Sequence, residues 1–253
     1  MENQNRERLK LLRGPPAYVP RTPWGGVPAA AAAGVILAVA LASAAVAQLL
    51  GVVPVSLGGA RLGQDPDVLR TLALWQVLTI ALTLMAAGLF GGKVLEVLAL
   101  HRPAGSLLVY LEAIGLMILM QVAVSGVQYA FFPNDMYTDL RPLLGIFDDQ
   151  WLLALLVVGI GAPLSEELLF RGFLLSALAR SQLGFAGGTI ITTTWWTLLH
   201  WGYSAAGIVE VFLIGLFLSW LLWRTGSLRV PIFCHALYNS LIVVFLRHVP
   251  LPP

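Results

Sequence analysis

Charged side chains are scarce in this sequence. Asp, Glu, Lys and Arg make up 11% of its 253 residues, against about 25% in an ordinary soluble domain. A surface that poor in charge would not stay dissolved, which excludes a water-soluble globular class. Cysteine is nearly absent. Cys234 alone excludes an intramolecular disulfide and a cysteine-rich metal site, and its apolar surroundings read as those of a packed thiol. No H-E-x-x-H run and no G-x-S-x-G setting occur, so neither a two-histidine zinc helix nor a serine elbow is present. Ser165 adjoins two glutamates but lacks that setting. There is no basic stripe with interleaved aromatics, hence no expected nucleic-acid partner. No internal repeat is visible either, so an inverted-repeat transporter has no support.

What is present is apolar sequence in long blocks. Hydrophobic residues reach 58%, and several blocks exceed the roughly 20 residues a helix needs to cross ~30 Å of hydrocarbon. Spans are expected at 27–53, 71–91, 106–132, 151–179, 186–203, 205–223 and 228–246, with an amphipathic interfacial helix over 93–100. The expected fold class is an all-α, polytopic transmembrane helical bundle of seven to eight spans around an intramembrane cavity. The count turns on 151–179, which is long and interrupted by Pro163. Residues 1–26, with Arg6, Arg8, Lys10, Arg13 and Arg21 and four prolines, read as a flexible cytoplasmic tail. Ala45-Val46-Ala47 raises a signal-peptide reading, but the apolar block outruns the 7–15 residues of a signal core, so a retained span is expected.

Basic residues set the orientation. With the N-terminus inside, the inner connections hold Lys93, Arg102, Arg180, Arg224 and Arg229. The outer ones hold Arg61, Arg70, Arg141 and Arg247, together with Asp65, Asp67, Asp135, Asp139, Asp148 and Asp149. Trp24, Trp151, Trp201 and Trp223 sit near span ends, where interfacial aromatics are expected. The expected location is a cell membrane, multi-pass, with the N-terminus cytoplasmic and the lipid bilayer as a partner.

Ionisable groups inside spans cost about 2.5–3.5 kcal/mol each on insertion scales and are functional candidates by default. Glu166 and Glu167 are adjacent, and Arg171 lies four residues after Glu167 on the same helical face, as an ion pair requires. Glu166 points about 100° away and is free to face a cavity. His235 and Asn239 also share one face, and His200 ends a neighbouring span. Each has a bland reading: a surface ion pair, an interfacial histidine, a helix–helix polar contact. Glu112 and Glu210 have no partner at helical spacing and are expected to be structural, with a water-lined cavity as the alternative.

Brought around one cavity, these types form a hydrolase. A carboxylate can act as general base on water, a histidine can hold that water or carry its proton, and a second histidine with an asparagine amide can donate to an oxyanion. Zinc held by Glu166, His200 and His235 is the rival arrangement.

In order, Glu166-Glu167-x-x-x-Arg171, Trp196-x-x-x-His200 and His235-x-x-x-Asn239 resemble the motifs of the CAAX-protease and bacteriocin-processing (CPBP, ABI) family of intramembrane proteases, with Trp196 where the family has Phe. The resemblance covers about 152–246, within a catalytic core at 151–253 that follows N-terminal spans at 27–150. It implies an all-helical membrane endopeptidase whose cavity opens toward the cytoplasm. It further implies that Glu166 and His200 activate water, that His235 and Asn239 form the oxyanion site, and that Glu167 and Arg171 order the site. The favoured mechanism needs no cofactor, with Zn²⁺ as the alternative. Membrane-anchored peptides or proteins, prenylated or not, are the expected substrates. A non-catalytic scaffold or immunity-type protein keeping the motif as a polar network is the competing function.

Overall fold

The computed structural model describes residues 11–12, 15–50, 68–104, 107–133 and 136–249. The charges expected at Arg6, Arg8, Lys10, Arg13, Arg61, Asp65, Asp67 and Asp135 lie outside the described residues. Among the described residues the architecture is all-helical. In chain order the elements are α1 (Gly26–Leu49), α2 (Val68–Gly88), a short α3 (Val94–Val97) and α4 (Leu108–Phe131). Then come α5 (Leu144–Ala154), α6 (Ala162–Glu166), α7 (Leu175–Ala179), α8 (Gly184–Leu198), α9 (Ala205–Thr225) and α10 (Arg229–His248).

α5, α6 and α7 are not separate spans. Two π-helical stretches, Leu155–Gly161 and Glu167–Leu174, join them into one continuous helix over Gln150–Ala179. Pro163 therefore does not split this span. It sits at the start of α6, where the wider π register has already displaced the ordinary hydrogen bonds.

Among the described residues, six helices are long and apolar enough to cross a membrane: Gly26–Ser43, Val68–Gly91, Leu108–Phe131, Gln150–Ala179, Ala205–Thr225 and Arg229–His248. The remaining expected span, 186–203, fifth in order, is the shorter α8. Its 15 residues give ~22 Å at ~1.5 Å per residue, so its C-terminal end stops inside the bundle. α8 packs along α7 and α9, α1 along α2, and α10 along the π-helical stretch before α6.

The connections gather at two ends. At one end Ala17 and Tyr18 donate backbone N–H to Trp223 O, Ala104 N donates to Thr225 O, and Leu228 N to Ala99 O. Tyr18 also meets Phe185 edge-on. At the other end Leu69, Ala154, Val243 and Leu246 form a small core with Leu140, Leu143 and Leu144 packed against it. The leader expected to be flexible thus packs where it is described. Leu11 and Thr22 are buried, and Trp24 Nε1 donates to Ala86 O at 2.9 Å. The expected interfacial helix is the one-turn α3, after which Leu98 and Ala99 are buried.

α9 has clear limits. Ser204 caps its start by accepting from Gly207 N–H. Gly226 ends it in the left-handed conformation, φ 66°, which glycine adopts without a Cβ penalty; a Cβ there would also press on Ala17 O.

Candidate active site

Glu166 closes α6 and Glu167 opens the following π-helical stretch. The consecutive carboxylates consequently have different surroundings. Glu167 is fully buried, and its Oε1 accepts from Arg171 Nη1 at 2.9 Å and from His235 Nδ1 at 3.0 Å. Arg171 is fully buried too, and its guanidinium lies 4.3 Å from the Trp196 ring centroid. A buried ion pair needs such extra partners, because Coulomb attraction alone does not offset desolvation.

Glu166 is partly exposed instead, with a quarter of its side chain open. It lines a cavity of about 590 Å³, within the usual range for ligand sites. Trp196 Nε1 donates to Glu166 Oε2 at 2.7 Å, and His235 Nε2 stands 4.0 Å from the same oxygen. His200 follows the last turn of α8, with Nδ1 3.0 Å from Trp196 O. A carbonyl only accepts, so Nδ1 carries the proton in that bond and Nε2 keeps its lone pair in the neutral ring. Because α8 is short, His200 stays beside the cavity it lines.

Asn239 sits one turn after His235 on α10, and its Nδ2 donates to Val158 O at 3.1 Å. In a π register the partner of Val158 O would be residue 163, and Pro163 has no N–H. Asn239 supplies the missing donor and ties α10 to the central helix. Its second amide hydrogen is not needed there, and its side chain lines the cavity. Ser165 Oγ donates to Ala162 O at 2.9 Å, and Cys234 is buried.

Glu166, His200, His235 and Asn239 thus line one cavity, while Glu167 and Arg171 brace it from behind. Two features escaped the sequence reading. Trp196, noted only as an aromatic at a Phe position, bonds the Glu166 carboxylate. Glu210 has partners after all: Gln121 Nε2 at 2.8 Å, Gln128 Nε2 at 2.9 Å and Tyr238 OH at 2.9 Å, and it lines the same cavity. Those donors lie on α4 and α10, out of reach of any local pattern. Glu112 does not line the cavity.

Among the described residues, no three His, Cys, Asp or Glu side chains form a set that could hold a metal ion. Glu166, His200 and His235, the expected zinc set, are not gathered into such a group: Nδ1 of His235 bonds Glu167 Oε1 and its Nε2 stands 4.0 Å from Glu166 Oε2.

The cavity belongs to one end of the bundle. Met136, Tyr137, Asp139, Leu140 and Leu143 line it together with Tyr203 and Ser204. Asp139 fastens the two connections, accepting from Ser204 N at 2.7 Å and Ser204 Oγ at 2.8 Å. Leu11, Ala17 and Tyr18, with Lys93, Arg102 and Arg224, are at the opposite end. Two expectations therefore conflict: if the N-terminus is cytoplasmic, this cavity does not open toward the cytoplasm. Leu37, Gln76, Thr79 and Gln121 also line it, so the spans before 151 contribute to the site.

Residues 148–241 match the family model described as type II CAAX prenyl endopeptidase Rce1-like. The chain is 35% identical over 97 residues to an uncharacterized 24.3 kDa protein of Escherichia coli, a match covering 37% of this chain and 44% of that relative. The chain thus spans less than half the length of the curated relative it matches. No solved structure matches it. Residues 148–241, the stretch bearing all six expected site residues, are thus similar to the Rce1-like family.

Proposed function

We propose that this chain is an intramembrane endopeptidase that hydrolyses membrane-associated peptides or proteins with water activated by Glu166. The observation that carries the reading is Glu166 itself: a carboxylate at membrane depth, open to a cavity, within 4.0 Å of His235 and held by the Trp196 indole. Glu166 takes a proton from water as the oxygen attacks the scissile carbonyl, and later gives it to the leaving nitrogen. His200, with Nε2 free to accept, orients the water. The oxyanion receives the second N–H of Asn239 and the Nε2–H of His235. Since Nδ1–H of His235 already goes to Glu167, this last role requires the imidazolium, balanced by Glu167 and the oxyanion itself. Glu167 and Arg171 are positioning residues that fix the His235 ring. No step runs through a metal.

The experiment is cleavage of a panel of lipid-tethered reporter peptides by the full chain in detergent. Glu166→Ala and His200→Ala each reduce turnover by about 10²–10⁴, the usual worth of a proton-transfer group, with unchanged yield and melting temperature. Wild-type-like cleavage by both variants would remove the reading. The buried Glu167–Arg171–His235 network supports one alternative, a non-catalytic membrane scaffold braced by these residues. There the same variants melt early, and no cleavage is separable from folding.

A further inference from the structure

We propose that Glu210 is a specificity-determining residue of the cavity: it receives the side chain of a lysine or arginine two or three residues from the bond to be cut. A peptide segment carrying that basic residue is then the preferred ligand. That the bound peptide is cut rests on the endopeptidase reading; the preference of the cavity for a basic peptide does not.

Glu210 lies in the first half of α9 and lines the cavity. An ionisable group within an apolar span is costly and marks a candidate site. Gln121, Gln128 and Tyr238 all donate to its two oxygens, so Glu210 enters the network as an acceptor only, the role of an ionised carboxylate. None of these donors carries a charge. Glu167, by contrast, has Arg171 at 2.9 Å, and no Lys or Arg among the described residues lines the cavity. The same network holds an acceptor without a donor. Gln121 gives its Nε2 hydrogens to Glu210 Oε1 at 2.8 Å and Tyr238 OH at 2.6 Å, and its own Oε1 is buried and unpaired. A carboxylate without a counter-charge and an amide oxygen without a donor require the same partner, a cationic group rich in N–H.

Two helices fix where that cation sits relative to the reacting groups. On α9, Gly215 abuts the centre: a Cβ there would meet Arg171 Nη2 at 2.9 Å and Trp196 Cε3 at 3.1 Å, and Trp196 holds Glu166. Glu210 is five residues before Gly215, about 7.5 Å along the helix axis. On α10, the tyrosine that bonds Glu210 follows His235 by three residues. An extended peptide advances about 3.3 Å per residue, so the side chain that meets Glu210 belongs to the second or third residue from the scissile bond. Val211 and Ile214, between the two points, also line the cavity. They suit the methylene stem of a long basic side chain whose head reaches the carboxylate.

Binding of fluorescent, lipid-tethered peptides to the full chain in detergent tests this. The peptides come in pairs that differ only by lysine or norleucine at one position, and that position is walked along the peptide. The chain carries Glu166→Gln, which removes the proposed base and keeps every peptide intact during the titration. At one position lysine binds about tenfold tighter than norleucine, the worth of a charge-assisted hydrogen bond, and added salt narrows the gap. Adding Glu210→Gln brings the lysine-to-norleucine ratio near one. Glu210→Asp keeps the charge and retains part of the preference, and melting temperatures show that each variant is folded. Equal binding within every pair, a preference indifferent to Glu210→Gln, or no binding of any peptide overturns the proposal. Cleavage by the unmodified chain is scored separately: a lysine preference without turnover removes the protease reading and leaves the cation subsite standing.

Discussion

Two acidic networks stand close to one cavity and are built on opposite principles. Behind the cavity, Glu167 is matched by charge, with Arg171 at 2.9 Å and His235 at 3.0 Å, and both members of the ion pair are fully buried. In the cavity wall, Glu210 is matched by neutral donors, two glutamine amides and a tyrosine hydroxyl, and it remains half-buried. The first network is intolerant of losing a member, because any survivor is left as an uncompensated charge in low dielectric. The second can lose its charge and keep its hydrogen bonds. A catalytic carboxylate such as Glu166 needs a rigid back wall and an adaptable front one, and the two networks divide that work.

The contrast is broken most severely at Arg171. Arg171→Ala is expected to destabilise the chain by about 3–5 kcal/mol, read as early thermal unfolding in detergent. Arg171→Met combined with Glu167→Leu should recover much of that loss, because the stranded charge is gone. A middle test lies at Gly215, where a Cβ would come 2.9 Å from Arg171 Nη2 and 3.1 Å from Trp196 Cε3. Gly215→Ala overpacks this contact and should cost about 1–3 kcal/mol, seen as a lower melting temperature with reduced cleavage. The smallest effect is expected at the other network. Glu210→Gln keeps an oxygen for Gln121 and Tyr238, its new amide donates to Gln128 once that side chain turns its oxygen inward, and stability should shift by no more than about 1 kcal/mol in the same melt. A Glu210→Gln loss as large as that of Arg171→Ala would end the distinction between the two networks.

How much was legible followed from sequence distance. Glu167 with Arg171, and His235 with Asn239, are four residues apart, so helical geometry alone pairs each set on one face. The Trp196 bond to Glu166 spans 30 residues and the Gln121 bond to Glu210 spans 89; no periodicity reports such contacts. The π-helical stretches were invisible for a similar reason. Pro163 signals a disturbed helix, and whether the chain breaks or widens there depends on Asn239 coming from α10 to supply Val158 O with a donor. The span expected at 186–203 was overestimated because apolar sequence continues past Leu198 into Leu199, Trp201 and Tyr203, while the helix itself stops at Leu198.

By itself, the sequence determined that this is a membrane-spanning helical protein carrying a Glu-Glu, His, His-Asn set at membrane depth. Scarce charge and long apolar blocks leave a chain no other solvent, and helical spacing is a local rule. Helical spacing also freed Glu166, rather than Glu167, to face a cavity; only the tertiary structure decided what holds Glu166 and at which end of the bundle the cavity opens. Those outcomes depend on contacts between helices far apart in the chain, where packing and the pairing of buried charge, rather than local spacing, select the arrangement.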